Sequence, residues 1–304
     1  MPVDTPAAGG AAGLATSTDV QDGSDLAALD ALEIGEHESR PWWRTALASG
    51  LPPLVAVAIV VGIWQLVFAL HVQPDYNLPS PRSSWDSLRS LWDSGALWEG
   101  IRNSLGRCAL GFLVAIGIGT PLGLAMGRIK LVKAGIGPIV SGLQSLPSVA
   151  WVPVGVIWFG ITPTTLYFVV LLGAVPSIAA GTASGLEQVP PLYLRVGHIL
   201  GARGLTLARH VLLPAALPAY MGGLRQGWAF SWRSLMAAEL IAQSPRLGAG
   251  LGQLLDQGRQ LSDMSTEFGV IWVILLVGLA VELVVFRPLE RRVLGTRGLL
   301  VGKH

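Results

Sequence analysis

Charged side chains set inside apolar stretches are the residues of this chain whose types and spacing could do chemistry. Arg225, Arg233 and Glu239 all fall within residues 214–242, a run with the composition of a membrane segment. A charge at mid-bilayer costs about 2.5–3.5 kcal/mol on insertion scales unless it is paired or solvated. At a helical rise of 1.5 Å per residue, Arg225 lies about 16 Å beyond Pro214, near the middle of a hydrocarbon core. Arg225, Trp232 and Glu239 recur every seven residues, with Trp228 one turn from its neighbours. They share a stripe that must face protein or water. Two uses of these side chains stay open. In one, Arg225, Trp228, Trp232, Arg233 and Glu239 line a conduit, and an arginine helps an anionic solute through. In the other, the charges pair with further helices, Glu282 among the candidates, and hold a bundle together.

Enzyme chemistry finds little support. The sequence has no GxxxxGK[ST] loop, no HExxH and no GxSxG, and the glycines near Gly117 and Gly248 do not complete GxGxxG. His198 and His210 lie twelve residues apart in a basic stretch, and no metal site is read there. The single cysteine, Cys108, lies in an apolar run and reads as a small buried residue, excluding a disulfide within one chain. No nucleophile, base and orienting group cluster at one depth. The chain is read as no enzyme and as binding no cofactor; if it works against a gradient, another chain must handle the ATP.

The elements that carry these residues follow from composition. With 51% hydrophobic residues, 13% charged residues and a mean hydropathy of +0.55, the chain reads as an all-α integral membrane protein. Six segments approach the roughly 20 apolar residues a crossing needs: residues 51–70, 105–126, 136–159, 164–185, 214–242 and 268–286. They lack the alternation of barrel strands, so a bundle of about six transmembrane helices is expected. Pro121, Pro138, Pro147, Pro153 and Pro176 interrupt these segments and are expected to kink them. Gly111, Ala115, Gly119, Gly123 and Gly127 repeat every four residues, a face of small side chains suited to close helix packing. Between the first two segments, Trp85, Leu88, Trp92 and Ala96 fall near one helical face, the pattern of a helix lying at the outer interface.

Charge placement sets orientation and boundaries. The first 39 residues hold eight of the 19 acidic residues and no Lys or Arg, so residues 1–39 read as a disordered acidic tail with no secretory signal. Residues 40–295 form the membrane domain and 296–304 a short C-terminal tail. Arg40, Arg44, Arg128, Lys130, Lys133, Arg195, Arg203, Arg209, Arg287, Arg291 and Arg292 gather in connections on one side, whereas Arg82, Arg89, Arg102, Arg246 and Arg259 fall on the other. The positive-inside rule then puts both termini in the cytoplasm, together with the basic loop of residues 187–213.

Within that loop, Gly201 is followed after nine residues by Val211-Leu212-Leu213-Pro214. This resembles the G-x9-I-x-L-P half of the EAA loop of permease subunits of bacterial ABC importers. Arg195-Val196-Gly197 stands where that pattern has Glu-Ala-Ala. The resemblance extends over roughly residues 50–295. NSLGR (103–107), LQSLPSVAWVPVGVIWFG (143–160) and MGGLRQGWAFSWRSLMAAELI (221–241) resemble the branch with permeases for aliphatic sulfonates, taurine and nitrate; relatives of that branch import bicarbonate or heterocyclic compounds.

The resemblance implies a MetI-like importer permease in the bacterial cytoplasmic (inner) membrane, paired as a homodimer. It implies two copies of an ATP-binding subunit that hold ATP and Mg, and an extracytoplasmic solute-binding protein. Lipid is the other partner and nucleic acid is not expected. It also implies that residues 187–213 form a coupling helix docking on the ATPase. The residues implicated are Arg195, Gly197, Gly201, Ala202, Arg203, Leu205, Arg209, Val211, Leu213 and Pro214. Leu205, Leu207 and Val211 would be the apolar knobs, Arg203 and Arg209 the charge contacts, and Gly201 the turn. Pro214 suits the first turn of the next helix, where a missing donor is harmless. The implied solute is a small anion, an aliphatic sulfonate first and taurine or nitrate next. The alternative is an ion-coupled secondary transporter or channel without an ATPase, using Arg225, Arg233, Glu239 and Glu282 as gating or relay groups.

Overall fold

In a computed structural model of the chain, residues 42–74, 76–244 and 247–295 are described. The expected tails, 1–39 and 296–304, together with Arg40 and Arg246, lie outside them. The chain divides into two compact units, residues 1–60 and 61–304. The described part of the first is the opening of α1 (Trp42–Ala69), which runs on into the second.

The second unit is helical throughout its regular elements: α2 (Pro81–Asp93), α3 (Ala96–Arg128), α4 (Lys130–Ser145), a 3₁₀ turn (Ser148–Trp151), α5 (Val152–Phe159), α6 (Pro163–Glu187), α7 (Pro191–Ile199) and α8 (Gly204–Leu207). A π-helical turn (Ala208–Leu212) leads into α9 (Leu213–Ile241), followed by α10 (Leu251–Gln260) and α11 (Met264–Val281). A second π-helical turn (Glu282–Phe286) leads into α12 (Arg287–Gly295).

Among the described residues, three helical stretches are long and apolar enough to cross a membrane alone: α3, α6 and Met264–Val293. The six expected spans are therefore not all recovered as such. Residues 136–159 are not one continuous span; α4 and the helical stretch Ser148–Phe159 meet at 99°. The cause is local. Leu146 precedes Pro147, and the proline ring excludes the helical conformation from the residue before it; Leu146 is extended at φ −81°, ψ 132°. None of the other prolines ends its helix. Pro153 opens α5 at its first turn, and α4, α3 and α6 each continue through Pro138, Pro121 and Pro176. Helix α9 has the length for a span but carries three charges.

Helix α6 is the centre of the bundle, with α3 on one side and α9 on the other. The small-residue face of α3 lies against it. A Cβ added at Gly123 would fall 2.5 Å from both the Ala179 carbonyl oxygen and Thr182 Cβ, so only glycine admits this approach. Across the other seam, Gly181 and Gly223 bring α6 and α9 into backbone contact. The main core fills the space between, with Cys108, Phe112, Val169, Val170, Ile178 and Leu235 buried.

Helix α2 does not bring the four residues of its expected face together. Leu88 and the Ser84 carbonyl pack on Gly269 of α11, whereas Trp85 and Trp92 are exposed. Ala96 belongs to the next helix, because Gly95 takes a left-handed conformation (φ 78°) between them.

Candidate functional site

Two regions concentrate the side chains that carry charge or exposed apolar surface. The first is built from NSLGR on α3. Residues 103, 104 and 107 fall on one face of a helix, and that face meets Glu239 near the end of α9 and the stretch 247–252 that opens α10. Glu239 is fully buried. Its Oε2 accepts from Ser104 Oγ at 2.7 Å and from the Gly252 amide at 3.2 Å, and its Oε1 accepts from Arg107 Nη1 at 2.8 Å. Arg107 also donates to the Leu247 carbonyl, Asn103 Nδ2 donates to the Ala249 carbonyl at 2.8 Å, and the Leu251 amide donates to Ser104 Oγ at 2.9 Å. The carboxylate accepts from three donors, one of them the Arg107 cation, so its charge is compensated where it is buried. A Cβ at Gly250 would sit 2.7 Å from Glu239 Oε2; the loop can close over the carboxylate only as glycine. The arrangement is a clasp that ties α3, α9 and the entry to α10 together.

Next to the clasp, Asp256 of α10 accepts hydrogen bonds from Arg259, Gln260 and Gln243. Burial pushes its carboxyl up, but those donors and the Arg259 charge outweigh burial and hold it below the ordinary carboxylate range.

The stripe on α9 turns inward. Trp228 and Trp232 are buried. Trp228 meets Phe112 edge-on at 5.4 Å and Phe286 at 6.1 Å, and Trp232 lies against Gly278. Arg225 reaches Glu282 at 2.5 Å and Glu290 at 3.5 Å, with about half its side chain exposed. Arg225, Trp228, Trp232 and Glu239 therefore all touch protein within the chain. Arg233 stands off it, exposed, with its guanidinium 4.6 Å over the Phe230 ring.

The second region is the basic loop. Helix α7 ends in two bonds, from the Ala202 amide to the Gly197 carbonyl at 2.9 Å and from the Gly201 amide to the His198 carbonyl at 3.0 Å. This is a Schellman closure, and it needs a left-handed residue; Gly201 supplies φ 80°. The chain then doubles back, and a Cβ at Gly197 would fall 2.5 Å from Leu207. That contact overturns one expectation. Leu207 is buried with Leu186, Val189, Leu212 and Ala216 and offers no knob, and Val211 is half-buried against the same cluster. The side chain of Leu205 lies outside the described atoms. Arg195, Arg203 and Arg209 are exposed, Ala202 is half-buried, Leu213 is half-exposed and Pro214 opens α9.

The exposed apolar surface is on α7 instead. Ile199 and Leu200 are 83% and 79% exposed, and Leu192, Tyr193 and Val196 are exposed beside them. Leu192, Tyr193, Val196 and Leu200 rim a cavity of about 580 Å³ reaching His210, Val211 and Pro214. Residues 192, 196, 199 and 200 follow the i, i+4, i+7, i+8 helical pattern, which was the available signal. For the clasp the signal was an arginine, Arg107, inside a predicted span and in need of a carboxylate.

The family of binding-protein-dependent transport system inner membrane components matches residues 119–292, more than half of the chain. The taurine transport system permease protein TauC of Escherichia coli (strain K12) is 29% identical over 262 residues, covering 84% of this chain and 94% of its own. The putative aliphatic sulfonates transport permease protein SsuC of Bacillus subtilis (strain 168) is 30% identical over 244 residues, covering 80% of this chain and 87% of its own. A chain of the MetNI methionine ABC transporter, solved in inward-facing conformations, shares the fold at a TM-score of 0.51 and 21% identity, covering 65% of this chain and 96% of that one. With a helical membrane bundle of that fold and a match of this extent, the chain belongs to the inner membrane components of binding-protein-dependent transport systems and is an ABC importer permease.

Proposed function

We propose that this permease imports a small anionic solute, an aliphatic sulfonate first and taurine or nitrate next, driven by ATP bound with Mg on a separate subunit. It works as a homodimer with two ATP-binding subunits inside and a solute-binding protein outside, and both its termini are cytoplasmic. The names of the similar taurine and sulfonate permeases support the solute class.

The observation that carries the reading is α7. Four apolar side chains on a nine-residue helix, and Leu200 at its C-cap, stand exposed beside a groove, and Arg195, Arg203 and Arg209 surround them. Such a patch with a charged rim fits a protein partner, and the ATP-binding subunit docks there. The Schellman closure at Gly201 holds α7 at a fixed angle to α8, and the buried Leu207–Leu212 cluster passes its displacement to the start of α9. The test is reconstitution. The purified permease is expected to bring an ATPase with it, and vesicle uptake is expected to stop on ATP depletion and survive collapse of the proton gradient. Uptake that persists without ATP and stops with the gradient would replace this reading with an ion-coupled carrier.

A further inference from the structure

We propose that the cavity at the break between α4 and α5 is an oxyanion-binding station on the solute path, with Arg233 as the group that holds the anion. The proposal rests on the reading of the protein as an anion importer and names the residues that would contact the solute.

Arg107, Arg225 and Arg233 are the arginines of the site described above, and they differ in one respect. Arg107 is paired with Glu239 and Arg225 with Glu282 and Glu290. Arg233 has no carboxylate partner among the described residues. Its stem is nevertheless fixed, because Nε donates to the Ala229 carbonyl at 3.2 Å and the guanidinium lies over Phe230. That leaves the two terminal nitrogens for a ligand, in the fork geometry that matches two oxygens of one oxyanion.

The space is there to be filled. A cavity of about 340 Å³ is lined by Gln144, Ser145, Leu146, Ser148, Phe230 and Arg233 among others, within the roughly 300–1,000 Å³ of small-molecule sites. No acidic residue lines it, so the local charge favours an anion over a cation. Ser148 Oγ and Ser234 Oγ share a hydrogen bond of 2.6 Å, and Gln144 Nε2 donates to the Pro176 carbonyl at 3.3 Å. These bonds anchor the break to α9 and α6, the helices through which the loop of residues 187–213 would move it. Non-helical backbone at membrane depth is tolerated where it is buried in protein or lines a water-filled cavity, and the 99° turn at Leu146–Pro147 lines a cavity. Arg233 lies twenty residues into α9, about 30 Å from its Leu213 end.

The test uses the permease with its ATP-binding subunits, in two assays. The first is the melting temperature of the purified complex, without binding protein, in millimolar methanesulfonate or in dimethyl sulfone, its uncharged shape analogue. The second is methanesulfonate and nitrate uptake in vesicles at saturating binding protein. Methanesulfonate is expected to raise the melting temperature and the sulfone is not. Arg233→Gln removes the shift and lowers uptake on the order of tenfold, with the complex still assembled. Arg233→Lys keeps the charge without the fork and falls between, and it carries the test if the Gln variant does not assemble. A wild-type shift and wild-type uptake in either assembled variant overturns the station and leaves the importer reading standing. Import of only uncharged or cationic solutes by the wild type overturns both.

Discussion

The clasp around Glu239 and the segment around α7 are built on opposite principles. In the clasp every charge is matched, the carboxylate is fully buried, and Gly250 admits the loop because no side chain fits. On α7 the apolar side chains are left outside, with Ile199 and Leu200 83% and 79% exposed. One region is complete within the chain, and on the function proposed above the other is completed by a partner. A moving machine needs both: a rigid body that displaces as a unit, and a surface through which force enters.

The largest effect should come from breaking the complete region. Glu239→Gln keeps the shape but leaves the Arg107 guanidinium, only 13% exposed, without its counter-charge. Removing one partner of a buried pair costs about 3–5 kcal/mol. The melting midpoint of the purified complex should fall sharply, and Arg107→Gln should do the same. The double variant should recover part of the loss, because neither charge is then left alone. Single variants that melt like the wild type would mean the clasp contributes no rigidity.

The incomplete region should respond in the opposite way. Exposed substitutions usually shift stability by no more than about 0.5 kcal/mol, so Ile199→Ser with Leu200→Ser should leave the melting midpoint nearly unchanged. Uptake should nonetheless fall several-fold, and ATP hydrolysis should lose its stimulation by loaded binding protein. Gly201→Val probes the same surface through the backbone. A β-branched residue at φ 80° is strained by about 1–2 kcal/mol, which should tilt α7 and weaken docking without touching the core. Wild-type coupling in both variants would remove α7 from the force path.

How far the sequence revealed these regions depends on the range of the interactions. Apolar length and the four-residue spacing of Gly111 to Gly127 are local properties, and they suffice for an all-helical bundle with a close seam. The turn at Gly201 and the start of α9 at Pro214 are also local, since φ preferences decide them. The 99° break was half visible: Pro147 marked it, but a proline inside an apolar run fits a kink as well as a reversal. The clasp joins residues 132 to 147 positions apart, which no periodicity reports. Arg107 still pointed to it, as a charge within an apolar segment. Leu207 was misread as a surface knob because only the folded loop shows Gly197 making room for it. The stripe on α9 was legible as a face, but its neighbours Phe112, Phe286 and Gly278 were not.

The smallest effect should come from the charge pair that lies between these two extremes. Arg225 meets Glu282 and Glu290 with half of its side chain exposed, and exposed pairs are worth about 0–1 kcal/mol. Arg225→Gln should therefore lower the melting midpoint by little, and raising the salt to about 1 M, where the screening length falls to about 3 Å, should shrink even that difference. The clasp should be nearly indifferent to the same salt, because its charges meet inside the protein. Arg225 sits about four helical turns from Glu239 on one stripe of α9, so the contrast isolates burial as the variable. A salt-insensitive loss at Arg225 as large as that at Glu239 would mean that lipid or a second permease copy desolvates this pair in the assembled transporter.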